Sequence, residues 1–396
     1  MNVYEGKNIR NVGIVGHGGS GKTSLISAIL FDAGATTRLG RVDDGNTTTD
    51  YDDEEIERKI TISAKLACCE WNKNKINMLD TPGFVNFIQE ARGALRVVDG
   101  AVAVVDAVSG VMVQTEKAWG YADEFGLARM VVVNRMDRET ANFERSLESI
   151  QQSLGRMCVP IQIPVGAEKG FKGVVDLVSM KAYTFAGDGT AKFTEAAIPA
   201  DIDARAKEYR DKLVESVAES DEGLMEKFFD SGTLSDDELL SGMKKQVADG
   251  KLYPIVYTSA TANIGIPQCL NAIVNYMPDA VTRGTVTGKN MQGAEITRKI
   301  ADNEPLSAFV FKTYSDPFTG RVSLFRVYSG VLSAETHPYN VNKSVAERFA
   351  QIATMQGKSL VQVPKLHAGD IGAVAKLKDT VTGDTLTEKG HEIMYS

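Results

Sequence analysis

The chain has no run of about 18 apolar residues, so no segment is built to cross a membrane as a helix. Its first residues, Met1-Asn2-Val3-Tyr4-Glu5-Gly6, lack the apolar stretch of a secretory signal. Cysteine is scarce. Cys68, Cys69, Cys158 and Cys269 show no metal-binding spacing, and without an export signal they are expected as reduced thiols. Positive charge is in deficit, the formal net charge being −8, which argues against a protein that coats nucleic acid non-specifically. Docking on a large RNA assembly through local basic spots stays open. Neither a low-complexity tract nor an internal repeat is present. These absences point to a cytoplasmic address. What is there is 396 residues of ordinary composition, 43% hydrophobic and 24% charged, enough for two or three domains with buried cores.

Residues 16–23 read Gly16-His17-Gly18-Gly19-Ser20-Gly21-Lys22-Thr23, between the apolar run Val12–Val15 and a helical pattern over Ser24–Ala33. This is GxxxxGK[ST] in the strand–loop–helix setting that gives the motif its meaning. Backbone N–H groups of such a loop converge on phosphate oxygens, helped by the positive end of the helix that follows. Lys22 is placed to reach the outer phosphates, and the Thr23 hydroxyl to ligate magnesium. Short apolar runs then alternate with helical patterns up to about Met277, the signature of a mainly parallel α/β sheet. The expected strands are Asn11–Gly16, Lys75–Leu79, Ala101–Ala107, Met130–Asn134 and Leu252–Thr258. Residues 155–251 break this pattern with helices over Asp201–Ala218 and Ser235–Ala248, and read as an inserted α+β subdomain. Its acidic residues, Glu215 to Glu238, are either a solvated face or a surface for a basic partner. Thr282–Gly293 reads as a linker. From Asn303 onward alternating runs such as Ser307–Tyr314, Arg321–Tyr328 and Gly369–Leu377 predict an all-β barrel domain. The expected domains are therefore 1–282 and 283–396.

Four further elements follow the phosphate loop, each where a strand gives way to a loop, which is where open α/β sheets bind ligands. Asp80-Thr81-Pro82-Gly83 offers a carboxylate for magnesium, through a water, and a Gly83 N–H for a γ-phosphate. The polar stretch Thr47–Thr61 brings Thr61, a second magnesium ligand once that segment folds over a triphosphate. Residues 40–60 have no apolar anchors and are expected to be mobile without a γ-phosphate. Asn134-Arg135-Met136-Asp137 and Ser259-Ala260 supply the base-reading groups. Asp137 offers two acceptors to the two adjacent N–H donors of guanine, where adenine has an acceptor and no amino group. Asn134 ties the base loop to the phosphate loop, Arg135 lays its stem along the ring, and the Ala260 N–H meets guanine O6. A P-loop kinase is the competing reading, and the Asn-x-x-Asp and Ser-Ala pair argue against it. The set in this order reads as a guanine-nucleotide switch binding GTP/GDP with Mg2+.

With these motifs, and with Asp44–Ile62, Leu213–Phe229, Ala308–Gly330 and Leu366–Leu386, nearly the whole chain resembles elongation factor G, a ribosomal translational GTPase. The resemblance implies a GTPase in which Lys22, Thr61 and Gly83 serve catalysis, and a factor that promotes tRNA–mRNA translocation. It also implies the ribosome as partner, through rRNA and through stalk proteins that meet the acidic helix. No membrane partner and a monomeric state are expected. The family chain continues for three more domains, so this sequence reads as an N-terminal part. Three departures stand out. The family's water-positioning histidine is Phe84 here, Gly19 replaces an aspartate of the phosphate loop, and Arg135 and Lys59 replace a lysine and a glycine. Such changes resemble divergent second-copy versions of the factor. A phenyl ring cannot orient water, and losing that function costs about 10² to 10⁴ in rate. Two readings stay open: a ribosome-dependent GTPase in which Phe84 only packs, and a GTP-gated ribosome-binding factor with little or no hydrolysis.

Overall fold

The computed structural model describes residues 1–317 and 319–395; Phe318, inside the Ala308–Gly330 stretch, and Ser396 lie outside the described residues. The chain forms two compact units, one of residues 12–65 and 78–278, the other of residues 1–11, 66–77 and 279–396.

A seven-stranded sheet comprises β1 (Ile9–Val15), β2 (Lys65–Trp71), β3 (Asn74–Asp80), β4 (Gly100–Asp106), β5 (Ala128–Asn134), β6 (Cys158–Pro160) and a returning strand, Tyr253–Tyr257. The order is β2-β3-β1-β4-β5, then Tyr253–Tyr257, then β6. β1 pairs parallel with β4, β4 with β5, and β5 with Tyr253–Tyr257. Every residue of β1, β4 and β5 is buried, as strands covered on both faces must be. That explains their near-continuous Val, Ile and Ala. The expected strands are all present, with ends within two residues of those expected. Parallel pairing sends β1, β4, β5 and Tyr253–Tyr257 toward one edge, and β3 ends beside it at Asp80.

Helix α1 (Lys22–Asp32) leaves the phosphate loop, and α2 (Asp53–Arg58) sits in the polar stretch before β2. α3 (Ile88–Leu95), α4 (Val113–Glu124) and α5 (Phe143–Leu154) connect the middle strands. The subdomain expected at 155–251 contains a four-stranded antiparallel sheet, running Phe193–Ala196, Lys181–Phe185, Gly173–Asp176, Gln162–Val165. Its helices are α6 (Asp203–Glu219), α7 (Glu222–Ser231) and α8 (Asp236–Ala248). The Ser235 hydroxyl accepts from Glu238 N–H at 3.3 Å and the Ser235 N–H donates to Glu238 at 3.0 Å, the capping box the sequence announces. α9 (Ile266–Tyr276) closes this unit.

The second unit is an all-β domain. Ser307–Asp316 pairs with Gly320–Ser329 at the centre of an eight-stranded antiparallel sheet whose apolar core includes Val310, Phe325, Ile352, Leu366 and Leu386. Within the same unit the Lys75 ammonium, on β3, meets both Asp370 oxygens at 2.9 and 3.0 Å, and Asn77 donates to Asp370 at 2.9 Å, all out of solvent. The linker reading of Thr282–Gly293 is corrected. Thr285–Lys289 pairs in register with Glu295–Lys299, a hairpin turning at Asn290–Ala294. Its polar alternation (Thr-Val-Thr-Gly-Lys) conceals a strand that buries little. Among the described residues no helix is long and apolar enough to cross a membrane.

Candidate nucleotide site

The phosphate loop needs glycine where the structure has it. Gly16 has φ of +144°, and a Cβ there would lie 2.4 Å from the Val104 carbonyl oxygen. Gly21 has φ of +94°, and a Cβ would lie 2.3 Å from Asn134 Nδ2. Gly19 is also left-handed, with open space where a side chain would stand. Lys22, at the start of α1, donates to the Gly16 and His17 carbonyls at 3.1 and 3.0 Å. Burial pushes its ammonium down to about 8, against the pull of Asp80 and Asp50. An anion delivered to this loop would push it back up.

Five side chains from three segments converge next to Lys22. Thr23 Oγ1 lies 3.0 Å from Thr61 Oγ1 and donates to Asp80 Oδ2 at 2.9 Å. Thr49 donates to the same Asp80 oxygen at 2.6 Å, and Thr61 donates to Asp50 at 2.8 Å. Asp80 is fully buried, with Oδ1 lacking a partner. Burial pushes both Asp80 and Asp50 up, Asp50 also through the charge of Asp80. Hydroxyls and carboxylates are hard-oxygen donors of the kind that suits magnesium. Thr49 and Asp50 were not among the residues singled out from the sequence; the run Thr47-Thr48-Thr49-Asp50 was the available signal.

Residues 40–60, expected to lack apolar anchors, carry polar ones. Glu55 of α2 is buried, receives the Ile62 and Ser63 N–H groups at 3.0 and 3.3 Å, and pairs with Lys65 at 2.7 Å. Polar anchoring of this kind leaves no hydrophobic pattern to read. Lys59 caps α2 in the left-handed region at φ +56°, which explains why a glycine suits that position, and its ammonium pairs with Asp43 at 3.5 Å.

On the base side, Asn134 is the knot. Its Nδ2 donates to the Ser20 carbonyl at 3.2 Å, while its Oδ1 accepts from the Ala260 N–H at 3.0 Å and the Thr258 hydroxyl at 3.3 Å. Ser259 donates to Asp137 at 2.6 Å, which aims that carboxylate. Arg135 stands at φ +66° with its guanidinium on Asp106 at 3.0 Å. Asn263, not anticipated, steadies the same loop by donating to Asp32, the last residue of α1, at 2.7 Å.

A cavity of about 250 Å³ is lined by Lys22, Thr23, Thr61, Gly83, Phe84 and Arg135, among others. Gly83 docks on the phosphate loop through its carbonyl, which accepts the Gly18 N–H at 2.8 Å. Phe84 is partly exposed and its ring edge abuts Gly18. His17 does not line this cavity. It faces a second one of about 400 Å³ with Ser20, Asp106 and Thr115, its backbone N–H on Thr115, and burial and the Lys22 charge push its imidazole down. Among the described residues that line the first cavity, none supplies an imidazole in place of the one missing at position 84.

Comparison with known proteins bears on the family. Residues 7–279 match the Elongation factor Tu GTP binding domain, and residues 305–389 match Elongation factor G domain 2. A crystal structure of a Thermus thermophilus protein is similar at 32% identity and a TM-score of 0.86, over 98% of this chain and 55% of its own. The chain thus spans about half the length of that protein. A nucleotide domain matched over most of the chain, followed by that second domain, leaves one assignment: the chain belongs to the translational GTPases, in the elongation factor G-like group.

Proposed function

We propose that the chain binds GTP and GDP with Mg2+ and acts on the ribosome as a translocation factor of the elongation factor G kind. The observation that carries the nucleotide part is the Asn134 knot, which joins phosphate loop, Asp137 loop and Ala260 loop into one surface. In this reading the loop of Gly16, His17, Gly18, Gly19, Ser20 and Gly21 wraps the phosphates, the His17 and Gly18 N–H groups holding it on Thr115 and Gly83, and Lys22 neutralises the outer phosphates. Arg135 covers the base, Asp137 reads its two N–H donors with Ser259 behind it, and Ala260 meets its carbonyl oxygen. Thr23, Thr61 and Asp80 would hold the ion. When bound, magnesium would offset charge on the terminal phosphates. Thr61 and Gly83 would report the presence of the third phosphate, since both belong to segments docked on the phosphate loop. The nucleotide domain is proposed as residues 1–282 with 155–251 inserted, the barrel domain as 283–396. Cytoplasmic residence, a monomeric state, and contacts with rRNA and stalk proteins through the acidic subdomain complete the proposal.

A specific observation favours a second reading of the activity. Phe84 sits at the phosphate cavity with no hydrogen-bonding group, and His17 faces away into the neighbouring one. A GTP-gated binding factor with slow or no hydrolysis has this composition. Single-turnover cleavage of GTP by the chain and by Phe84→His, each with and without ribosomes, separates the two. Equal rates support hydrolysis as the natural reset. Cleavage by the histidine variant alone supports the gated binder, and cleavage by neither refutes the idea that position 84 decides the outcome.

A further inference from the structure

Gly18 of the phosphate loop and Phe84 of the loop after β3 meet in space. A Cβ placed on Gly18 would stand 2.7, 2.8 and 2.9 Å from Phe84 Cζ, Cε1 and Cε2, so the far edge of the ring occupies the place a side chain at 18 would take. The backbone beneath is fixed by the Gly18 N–H to Gly83 carbonyl bond. Phe84 itself is extended, at φ −95° and ψ 147°, and its carbonyl accepts the Phe87 N–H at 3.0 Å, which starts a short helical turn. The ring is 40% exposed, so the protein core does not demand it. Val42 and Ile60 line the same cavity as Phe84. Large aromatic rings at a cavity mouth exclude water and hinder exit without any polar chemistry.

We propose that Phe84 and Gly18 form a matched lid and seat over the end of the cavity where Lys22, Thr61 and Gly83 converge, and that the lid retains a nucleoside triphosphate in preference to a diphosphate. This rests on the nucleotide reading above. The preference follows from position: the lid closes the end a third phosphate would fill, while a diphosphate leaves that end empty. The seat has to be glycine, not for backbone reasons, because Gly18 is not among the left-handed glycines. Alanine is free to adopt that backbone, and its penalty is to push the ring off.

The test is a double-mutant cycle on dissociation of fluorescent GTPγS and GDP from the intact chain, with the melting temperature checked for each variant. Phe84→Ala and Gly18→Ala should each speed GTPγS release about tenfold, by removing the lid and by unseating it. The double variant should match the singles, because with no ring the methyl at 18 meets nothing. The acceleration should be smaller for GDP than for GTPγS, most cleanly in Phe84→Ala, which leaves the phosphate loop's own sequence intact. Multiplying effects, equal acceleration of GDP and GTPγS, or unchanged release would each overturn the lid. If the unaltered chain shows no preference for guanine over adenine nucleotides, the underlying site assignment fails and the lid falls with it.

Discussion

Truncating Asn134 to alanine tests the knot that holds the nucleotide loops together. The side chain is 1% exposed, and its oxygen is the partner of the Ala260 N–H, itself buried. Alanine leaves that N–H without an acceptor, at a cost of about 1–3 kcal/mol for a buried unsatisfied donor. The Ser20 carbonyl loses its Asn134 contact, about 1 kcal/mol more, whereas the Thr258 hydroxyl can rotate to another acceptor. The expected loss is therefore about 2–4 kcal/mol, seen as a fall in melting temperature of about 5–10 °C for a unit of this size. The same contacts set the spacing between the phosphate loop and the Ala260 loop, so GDP affinity should drop about a hundredfold, the equivalent of about 2.8 kcal/mol. Differential scanning calorimetry of the free chain and calorimetric titration with GDP read the two effects separately. A melting temperature within about 1 °C of the parent, with GDP binding intact, would refute the reasoning.

Lys75→Met strands the Asp370 carboxylate in a dry site; it should destabilise the all-β unit by about 3–5 kcal/mol in a denaturant titration, and a loss under about 1 kcal/mol would contradict the pair's burial. Asp32 is pushed up to about 6 by burial despite its bond from Asn263, and it ends a helix whose carbonyl end disfavours negative charge. A raised folded-state value means the folded protein binds the extra proton, so stability falls as pH rises from about 4 to about 6. Asp32→Asn should flatten that slope and add about 1 kcal/mol at pH 7 after solvent screening, read from melting temperature against pH; an unchanged slope would count against it. Asp137→Asn turns one acceptor into a donor, so it should weaken GDP and improve xanthosine diphosphate, which carries a carbonyl where guanine has an amino group. Competition titration checks this, and a uniform loss for both nucleotides would contradict direct base reading.

The phosphate loop, Asp80 and the Asn134–Asp137 and Ser259–Ala260 pairs were legible because each is a local pattern fixed by one turn at one strand end. Thr49 and Asp50 were not, since their partners Asp80 and Thr61 lie 31 and 11 residues away and their burial depends on hydroxyl and carboxylate contacts. Glu55 escaped notice for a related reason, being a buried charge made tolerable by Lys65 and two backbone N–H groups. The hairpin at 285–299 was hidden because a strand with one thinly buried face shows little apolar alternation. Phe84 and Gly18 were each visible as sequence features. Their contact was not, because a long stretch of chain separates them and only the fold sets ring on glycine.

The central claim is a guanine-specific, magnesium-dependent nucleotide site on this chain. Titration calorimetry of the chain with GDP and with ADP, each with magnesium and with a chelator, tests it most directly. The account predicts GDP binding at least about a hundredfold tighter than ADP, weakened by the chelator. Equal affinities for the two nucleotides would contradict it.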